Sequence, residues 1–519
     1  MSEHFNIVDL FYDSARLNPD KVALIDDNTK ITFGNFETQV TATAFYFLKK
    51  GIKKGDRVLV FVPMSIDLYR TVLAIFRIGA TAVFLDEWVS KKRMEACCEV
   101  ADCSAFIAGF KISVLSIFSA KLRQIPIHLG LHYDSKLSGQ QFPETDKNDT
   151  ALITFTTGST GTPKAAKRTH GFLNEQFKAL IQIIKPGKSD VSMPVLPIVL
   201  LINLGLGITS VITRFKPGKV SALKPETLVR QIRNHQINTV IASPFFIKEL
   251  SKYLISNQIN LGEVTRIFTG GAPVFTHEAA IYINAFPGSK IEIVYGSTEA
   301  EPISSIKAED LILENEGFMG LNVGKTDANT EVKIISITED PITISNPQGF
   351  GKWEMPAGKI GEIVVSGSHV LREYFNNDEA LQRNKIFVGD QCWHRTGDSG
   401  FIGQNNNIYL TGRCSTLINK EQKIISPFIF EGYFQTLPGV EMGTVQSFLG
   451  QIIVVIELND PSKKQEIKTA IRSIQETFGE IIFLKHIPRD PRHYSKIDYE
   501  KLKTLLVKHS LLIRQMVNQ

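Results

Sequence analysis

The sequence predicts an α/β protein with more than one domain. The chain has 519 residues, which exceeds the roughly 100 to 200 residues of an ordinary domain. Strand-like and helical patterns alternate along its first half, as they do in a parallel sheet. The pattern changes to short alternating strands from about residue 332 and changes again after residue 413. We therefore expect a large N-terminal region with a β-rich subdomain, followed by a smaller C-terminal unit.

The alternation is clear near residue 60, where strand, amphipathic helix and strand predict a crossover between parallel strands: RVLVFVP (57–63), IDLYRTVLAIFRIGA (66–80) and TAVFLD (81–86). The same theme recurs in ETLVRQIRNHQ (226–236), NTVIASP (238–244) and FIKELSKYL (246–254). These segments indicate a sheet flanked by helices.

The two later parts of the chain have their own patterns. Alternating strands predict a β-rich subdomain over about 331–412, from EVKIISI (331–337) and GEIVVSG (361–367). Strands and helices then alternate in GQIIVVIEL (450–458), KKQEIKTAIRSIQETF (463–478) and GEIIFLKHIP (479–488). We place a boundary near residues 412–416, which divides the chain into 1–412 and 413–519.

Composition argues against several classes of protein. The formal net charge is only +5, and the basic side chains are scattered among acidic ones, so we expect no nucleic-acid partner. The five cysteines lack the spacing of a zinc site and indicate reduced thiols: Cys97, Cys98, Cys103, Cys392 and Cys414. MSEHFNIVDLF does not resemble an export signal. We expect a cytoplasmic protein and leave oligomeric state and peripheral membrane contact open.

One charge-free segment, MPVLPIVLLINLGLGITSVI (193–212), has about the length of a membrane span. It contains two prolines, two glycines and an asparagine, and it has no basic or aromatic belts at its ends. We therefore expect a buried core segment or an apolar pocket wall.

The segment TFTTGSTGTPKAAKRTH (154–170) suggests phosphate binding. Glycines let backbone N–H groups approach phosphate oxygens, while hydroxyl groups and Lys164 add donors. It is not a Walker loop, because Pro163 stands where that motif has a glycine and Ala165 follows the lysine. Taken alone, the segment is equally compatible with a surface turn.

Five motifs occur in order along the chain: TTGSTGTPK (156–164), YGSTEAE (295–301), TGDSG (396–400), GR (412–413) and a lysine in DPRHYSKIDYEKL (490–502). Together they resemble the adenylate-forming superfamily of acyl-CoA synthetases, adenylation domains and luciferases. The resemblance implies layered mixed sheets and helices in the N-terminal region and a small, mobile α+β C-terminal domain, with a hinge at about 413–416. It also implies ATP and Mg²⁺ as cofactors.

By this resemblance, a phosphate loop would cover the β and γ phosphates of ATP. Its residues would be Thr156, Thr157, Gly158, Ser159, Thr160, Gly161 and Lys164. Thr298 would touch the α-phosphate, and Glu299 would help to hold Mg²⁺, for which a hard oxygen ligand is suitable. A lone glutamate would otherwise suggest only a solvated loop carboxylate.

The resemblance also implies which residues bind the adenine base and the ribose of the nucleotide. Small residues and an aromatic ring would form the adenine pocket: Gly270, Gly271, Ala272, Pro273, Tyr295 and Gly296. Asp398 would accept the two ribose hydroxyls, with Arg413 as its basic neighbour. Lys496 would move in to bridge the carboxylate and the α-phosphate. Outside these motifs, Asp398 would suggest a turn and Lys496 a solvated side chain.

Three positions depart from the pattern of enzymes that make CoA thioesters. Ser495 replaces a common glycine, Ser415 stands where Asp or Lys is common, and Gln422 stands where a glycine borders the CoA tunnel. The segments GEIVVSGSHVLREYF (361–375), HRTGDSG (394–400) and DPRHYSKI (490–497) resemble the olefin β-lactone synthetases, which close a 2-alkyl-3-hydroxy acid without CoA. In that branch an intramolecular hydroxyl replaces the thiol.

The sequence therefore predicts an ATP-dependent ligase that converts a fatty or other apolar carboxylic acid to acyl-AMP. Two fates of the acyl group stay open: transfer to CoA, as in an acyl-CoA synthetase, and β-lactone closure. A catalytically silent acyl or nucleotide binder is a third interpretation. Retention of Lys164, Glu299, Asp398, Arg413 and Lys496 argues against it.

Overall fold

The computed structural model describes residues 4–85, 91–109, 119–133, 139, 141–156, 163–213, 223–313, 320–345, 349–403, 405–420, 423–474, 478–489 and 496–517. Its α-helices are Asp9–Leu17, Phe33–Lys49, Ile66–Arg77, Lys91–Ala101, Ala120–Arg123, His170–Ile184, Pro197–Gly205, Pro225–His235, Pro244–Ser256, Thr276–Ala285, Ala308–Leu313, Asp378–Asn384, Pro427–Phe434, Lys464–Arg472 and Tyr499–Val517. Short 3-10 helices are Gly351–Trp353, Cys414–Thr416 and Pro461–Lys463.

The first sheet contains the predicted crossover. Strands Arg57–Phe61 and Thr81–Phe84 pair in parallel, and helix Ile66–Arg77 connects them after an N-cap in which Ser65 accepts from the backbone N–H of Leu68. The described strands of this sheet lie in the order Ile127–Leu129, Ala105–Ala108, Arg57–Phe61, Thr81–Phe84, Thr150–Thr156 and Lys164–Thr169. The predicted strand, helix and strand are confirmed.

A second, larger sheet joins the parallel core to the β-rich part. Its described strands lie in the order Glu331–Ile335, Gly361–Ser366, Gln391–Ile402, Asn407–Arg413, Leu321–Thr326, Ala300–Lys307, Lys290–Ser297, Arg266–Gly270, Thr239–Ala242, Val191–Pro194, Thr209–Ile212, Val22–Asp26 and Thr29–Thr32, and Lys385–Val388 pairs with Gln391–Ile402. The strands predicted at 331–337 and 361–367 pair in antiparallel fashion. Pairing of Leu321 with Leu410 makes the β-rich part an extension of the large sheet.

The C-terminal region, residues 418–517, has its own described sheet, formed by Val440–Phe448, Gln451–Leu458 and Ile481–Leu484. Side chains along Gln451–Leu458 alternate between two apolar clusters, as the pleat of a strand requires. Val454 packs with helix Lys464–Arg472, and Val455 packs with helix Tyr499–Val517. A two-stranded sheet, Ile418–Lys420 with Lys423–Ile425, precedes them. The helix predicted at 463–478 ends at Arg472, and residues 475–477 lie outside the described residues.

The C-terminal region contacts the N-terminal region through its first helix. The rings of Phe428 and Phe275 lie 5.2 Å apart between centroids, and Glu441 lies close enough to Lys248 to favour its charged form. The boundary at 412–416 and the mobility of the C-terminal domain remain predictions.

The charge-free segment 193–212 forms parts of two strands and helix Pro197–Gly205. Val199 and Ile202 of this helix pack with Ile184, Ile241 and Phe268, between helix His170–Ile184 and the large sheet. Within the residues that the structure describes, no helix is both long enough and apolar enough to cross a membrane.

A buried carboxyl group joins three elements of the C-terminal region. Glu431 accepts hydrogen bonds from the hydroxyls of Tyr499 and, at 3.1 Å, Thr444. Burial raises the pKa of Glu431 from 4.5 to about 7, against the effect of these two donors. Burial therefore favours the neutral form of the Glu431 carboxyl in the folded state. Tyr499, in the first turn of helix Tyr499–Val517, hydrogen-bonds to this carboxyl.

We expect Glu431→Gln to stabilise the C-terminal region at alkaline pH only. Because the folded pKa is raised, the carboxyl favours folding fully below pH 4.5 and loses that contribution as pH rises through about 7. A shift of this size corresponds to roughly 3 kcal/mol. Hydrogen exchange in Val440–Phe448 should be equal in both proteins at pH 4 and slower in the variant at pH 8.5. Equal exchange at both values would contradict the prediction.

Candidate active site

The edge of the large sheet brings two motifs together. Strands Arg266–Gly270 and Lys290–Ser297 pair in parallel, with Gly270 opposite Val294. Their carboxyl ends therefore lie at the same edge. The second strand reverses through Thr298 and Glu299 into the antiparallel strand Ala300–Lys307. Gly271, Ala272 and Pro273 accordingly lie on the same sheet edge as Thr298 and Glu299.

Three positions at this edge require glycine for reasons of space or backbone conformation. A side chain on Gly270 would place its Cβ 2.4 Å from the carbonyl oxygen of Val294. Gly271 has a φ of +81°, a conformation that glycine adopts at little cost. Gly296 lies in the neighbouring strand, where a Cβ would come 3.0 Å from the carbonyl oxygen of Ala300. These glycines let neighbouring backbone segments approach closely and let the chain turn tightly at this edge.

Three of the predicted residues form a hydrogen-bonded group. The phenol of Tyr295 donates to Oδ2 of Asp398 at 2.8 Å, and the Arg413 guanidinium lies 3.2 Å from Oδ1. Asp398 and Arg413 are cross-strand neighbours, since Gln391–Ile402 pairs with Asn407–Arg413 in that register. Burial, and then the Asp398 charge, raise the pKa of Tyr295 well above its usual value, so the phenol remains a donor. A carboxylate has further lone pairs for other donors.

A buried arginine fixes the turn that carries Thr298. Arg168, in strand Lys164–Thr169 of the first sheet, is 7% exposed, and its guanidinium donates to the carbonyl oxygen of Thr298 at 3.1 Å. The charges of Glu301 and Glu299 favour the cation against the cost of burial. This contact connects the edge of the first sheet to the edge of the large sheet.

The segment 370–375 holds Glu299 from another direction. The Tyr374 hydroxyl donates to Oε1 of Glu299 at 3.2 Å, and the N–H of Leu371 donates to the Glu299 carbonyl at 2.7 Å. The N–H of Phe375 donates to the carbonyl oxygen of Ala165. Glu299 thus has a fixed backbone and a buried side chain, with Oε1 hydrogen-bonded.

Lys164 reaches the same cluster. Its ammonium donates to Oδ1 of Asn384 at 3.0 Å. Burial lowers the pKa of Lys164, the nearby Glu299 opposes this effect, and Arg413 adds to it. Lys164 pairs across a hairpin with Thr156, the last residue of strand Thr150–Thr156. The predicted loop residues Thr157, Gly158, Ser159, Thr160 and Gly161 lie outside the described residues.

The other predicted positions lie in or near the C-terminal region. Lys496 precedes Ile497, whose backbone bridges to Arg489, and helix Tyr499–Val517 begins three residues after it. Ser415 lies in the 3-10 helix Cys414–Thr416. Gln422 and Ser495 lie outside the described residues. Whether Lys496 enters the site remains a prediction.

Sequence analysis missed three residues of this cluster: Arg168, Tyr374 and Lys385. Arg168 follows Lys164 by four positions in the basic run KAAKRTH, which could have drawn attention to it. Tyr374 and Lys385 lie outside the five nucleotide motifs. Only their contacts with Glu299 or its neighbours identify them.

A family model described as AMP-binding enzyme matches residues 11–375. An olefin β-lactone synthetase of Xanthomonas campestris is 27% identical over 511 residues, which cover 91% of this chain and 90% of that protein.

Solved structures share the fold at lower identity. An amide bond synthetase from Marinactinospora thermotolerans superposes with a TM-score of 0.81 at 18% identity, and the match covers 97% of this chain and 100% of that one. An O-succinylbenzoate coenzyme A synthetase from Bacillus subtilis, in complex with ATP and magnesium ion, has a TM-score of 0.77 at 19% identity, with 95% and 98% covered. The chain therefore has the α/β fold of adenylate-forming enzymes.

Proposed function

Because the chain belongs to the AMP-binding enzyme family and is an adenylate-forming ligase, we propose that it activates a fatty or other apolar carboxylic acid with ATP. The products of this step are acyl-AMP and pyrophosphate. The observation that carries the proposal is the convergence of Tyr295, Asp398 and Arg413 beside the cluster of Lys164 and Glu299. This arrangement offers an acceptor for sugar hydroxyls next to cations for phosphate.

The described residues fit ATP and Mg²⁺ by their chemistry. Lys164, Arg413 and Lys385 all lie near Glu299, so positive charge is in excess. A polyphosphate would offset that excess. Gly271, which has no side chain, would let a flat base approach its backbone. Bound Mg²⁺ would neutralise phosphate charge, and Glu299 would contribute one carboxylate oxygen to it.

We assign roles to the residues on this basis. A carboxylate oxygen of the acid attacks the α-phosphorus, the bond to the β-phosphate bridging oxygen breaks, and pyrophosphate leaves. Lys164 and the loop at 156–161 hold the leaving phosphates, while Thr298 and Lys496 face the α-phosphate. Asp398 orients the ribose, with Arg413 positioned by the same carboxylate. Adenine lies against Tyr295 and the segments around Gly271, Ala272, Pro273 and Gly296. Catalysis is then mainly positioning and electrostatics.

The apolar helix Pro197–Gly205 supports a hydrophobic acid. It follows strand Val191–Pro194, which neighbours Thr239–Ala242 in the large sheet, so it starts at the edge where the nucleotide residues lie. Its side chains are uncharged along the whole helix. A wall of Val, Leu and Ile suits an alkyl chain.

For the second step we propose closure of a 3-hydroxyacyl-AMP to a β-lactone. The 3-hydroxyl oxygen attacks the acyl carbon, the bond to AMP breaks, and the hydroxyl proton is lost to a base or water. Similarity to an olefin β-lactone synthetase over 91% of the chain supports this step, as do the departures at Ser415, Gln422 and Ser495. Transfer to CoA is the second candidate, supported by the similarity of the fold to a coenzyme A synthetase.

A product assay separates these reactions. The enzyme, ATP and Mg²⁺ would be incubated with a 2-alkyl-3-hydroxy acid or its 3-deoxy counterpart, with and without CoA, and the products identified by mass. We expect pyrophosphate from both acids and lactone from the hydroxy acid alone, in equal amounts with and without CoA. A thioester formed only with CoA would exclude the lactone. Absence of acid-dependent pyrophosphate across apolar acids would refute the adenylation proposal.

A further inference from the structure

One buried lysine of the candidate site has no assigned role. Lys385 begins strand Lys385–Val388 and is 3% exposed. Among the described residues its ammonium has no hydrogen-bond partner. The face of the Tyr374 ring lies 5.5 Å from Nζ. A buried ammonium without such a partner is costly, so its presence calls for a physical reason.

The groups around Lys385 are mostly cationic or neutral. Lys164 and Arg372 oppose its charge, and burial has a larger effect in the same direction, lowering the pKa of Lys385 to about 8. The Cys392 thiol stays protonated because burial raises its pKa. The cross-strand neighbour His394 stays neutral because burial lowers its pKa. Glu299 is therefore the anionic neighbour whose charge favours the Lys385 ammonium.

The Glu299 carboxylate also lies near other cations of the site. Its charge acts on Lys164, Arg168 and Arg413 as well as on Lys385. Asp398 also acts on Arg413, and Glu301 also acts on Arg168, so three carboxylates face these four cations and positive charge is still in excess. If Glu299 also binds Mg²⁺, the positive excess increases further.

We propose that Lys385 binds the β- and γ-phosphate portion of ATP, and pyrophosphate, together with Lys164. The geometry favours this end of the nucleotide, because Asn384, the neighbour of Lys385 in the chain, holds the Lys164 ammonium at 3.0 Å. A phosphate oxygen would supply the partner that the ammonium lacks. The inference rests on the proposed use of ATP, but not on the fate of the acyl group.

The test is nucleotide binding by titration calorimetry, with no acid present. Lys385→Met should weaken binding of ATP with Mg²⁺, and of pyrophosphate, by about 10- to 100-fold, since one charge-assisted contact is lost. Binding of AMP should be unchanged, because AMP lacks the β and γ phosphates. Lys385→Arg should recover part of the ATP affinity. Lys333→Met is the control, since Lys333 forms an ion pair with Glu354 at the surface.

Thermal unfolding of the nucleotide-free protein distinguishes a ligand site from a structural role. Removal of a buried ammonium that has no hydrogen-bond partner should leave the Tm unchanged or raise it. A lower Tm with ATP and AMP weakened equally would identify Lys385 as structural and overturn the proposal. Unchanged ATP affinity, or wild-type protein that binds no ATP, would also overturn it. Normal ATP binding without acid-dependent pyrophosphate release would instead refute only the proposed reaction.

Discussion

Lys496→Ala is expected to reduce acid-dependent pyrophosphate release by at least about 100-fold, the usual cost of losing one electrostatic contact to a transition state. Charge redistributes over the α-phosphate as the carboxylate attacks, and Lys496 is assigned to bridge those two groups. ATP binding should persist, because Lys164, Asp398 and Arg413 are the residues assigned to hold the nucleotide. Release would be measured by coupled pyrophosphate detection and ATP affinity by calorimetry.

A matched control lies on the same segment. Lys501 pairs with Asp498 at the surface, 2.7 Å apart, and Lys501→Ala should leave pyrophosphate release close to that of the wild type. Pre-formed acyl-AMP supplied to Lys496→Ala should still be converted to product, because the assigned role ends with adenylation. Near-normal pyrophosphate release by Lys496→Ala would remove the residue from the mechanism.

Asp398→Ala is expected to weaken both AMP and ATP binding by roughly 100- to 10,000-fold. The carboxylate is assigned two hydrogen bonds from ribose hydroxyls, each worth about 1.5 to 3 kcal/mol when the acceptor is charged. The substitution also leaves the Tyr295 phenol and the Arg413 guanidinium without their shared partner. Calorimetric titration of AMP measures the loss directly.

Asp13→Asn provides the comparison, because Asp13 forms an exposed ion pair with Arg16 far along the chain from the motifs. Its nucleotide affinity should equal that of the wild type. Unchanged AMP affinity in Asp398→Ala would show that ribose binds elsewhere. Reduced AMP affinity with unaltered thermal unfolding would support the assignment.

Much of the fold could be predicted from local pattern. The strand, helix and strand at 57–86 are confirmed: they begin where predicted and end two or three residues earlier, because apolar periodicity and the Ser65 cap act over a few residues. The alternating strands predict a β-rich subdomain within the N-terminal region. In the structure its strands continue the large sheet through Leu321 and Leu410, a pairing between distant segments that no local pattern reveals.

Some residues of the candidate site could likewise be predicted from local motifs, whereas others depend on contacts between distant segments. Thr298, Glu299, Tyr295 and Asp398 lie in short motifs, so the sequence alone predicts them as site residues, and it identified the family through the order of those motifs. Lys164 and its partner Asn384 are 220 residues apart in the chain, and Arg168 is 130 residues from Thr298.

By itself, then, the sequence determined the family, and it predicted the nucleotide motifs and several of the strands and helices. The tertiary structure alone decided that Arg168 supports the Thr298 turn, that Tyr374 orients Glu299 and that Lys385 is buried beside them. Sequence patterns report preferences over a few residues. Burial and charge balance depend on which distant segments the sheets bring into contact, and so they exist only in the folded chain.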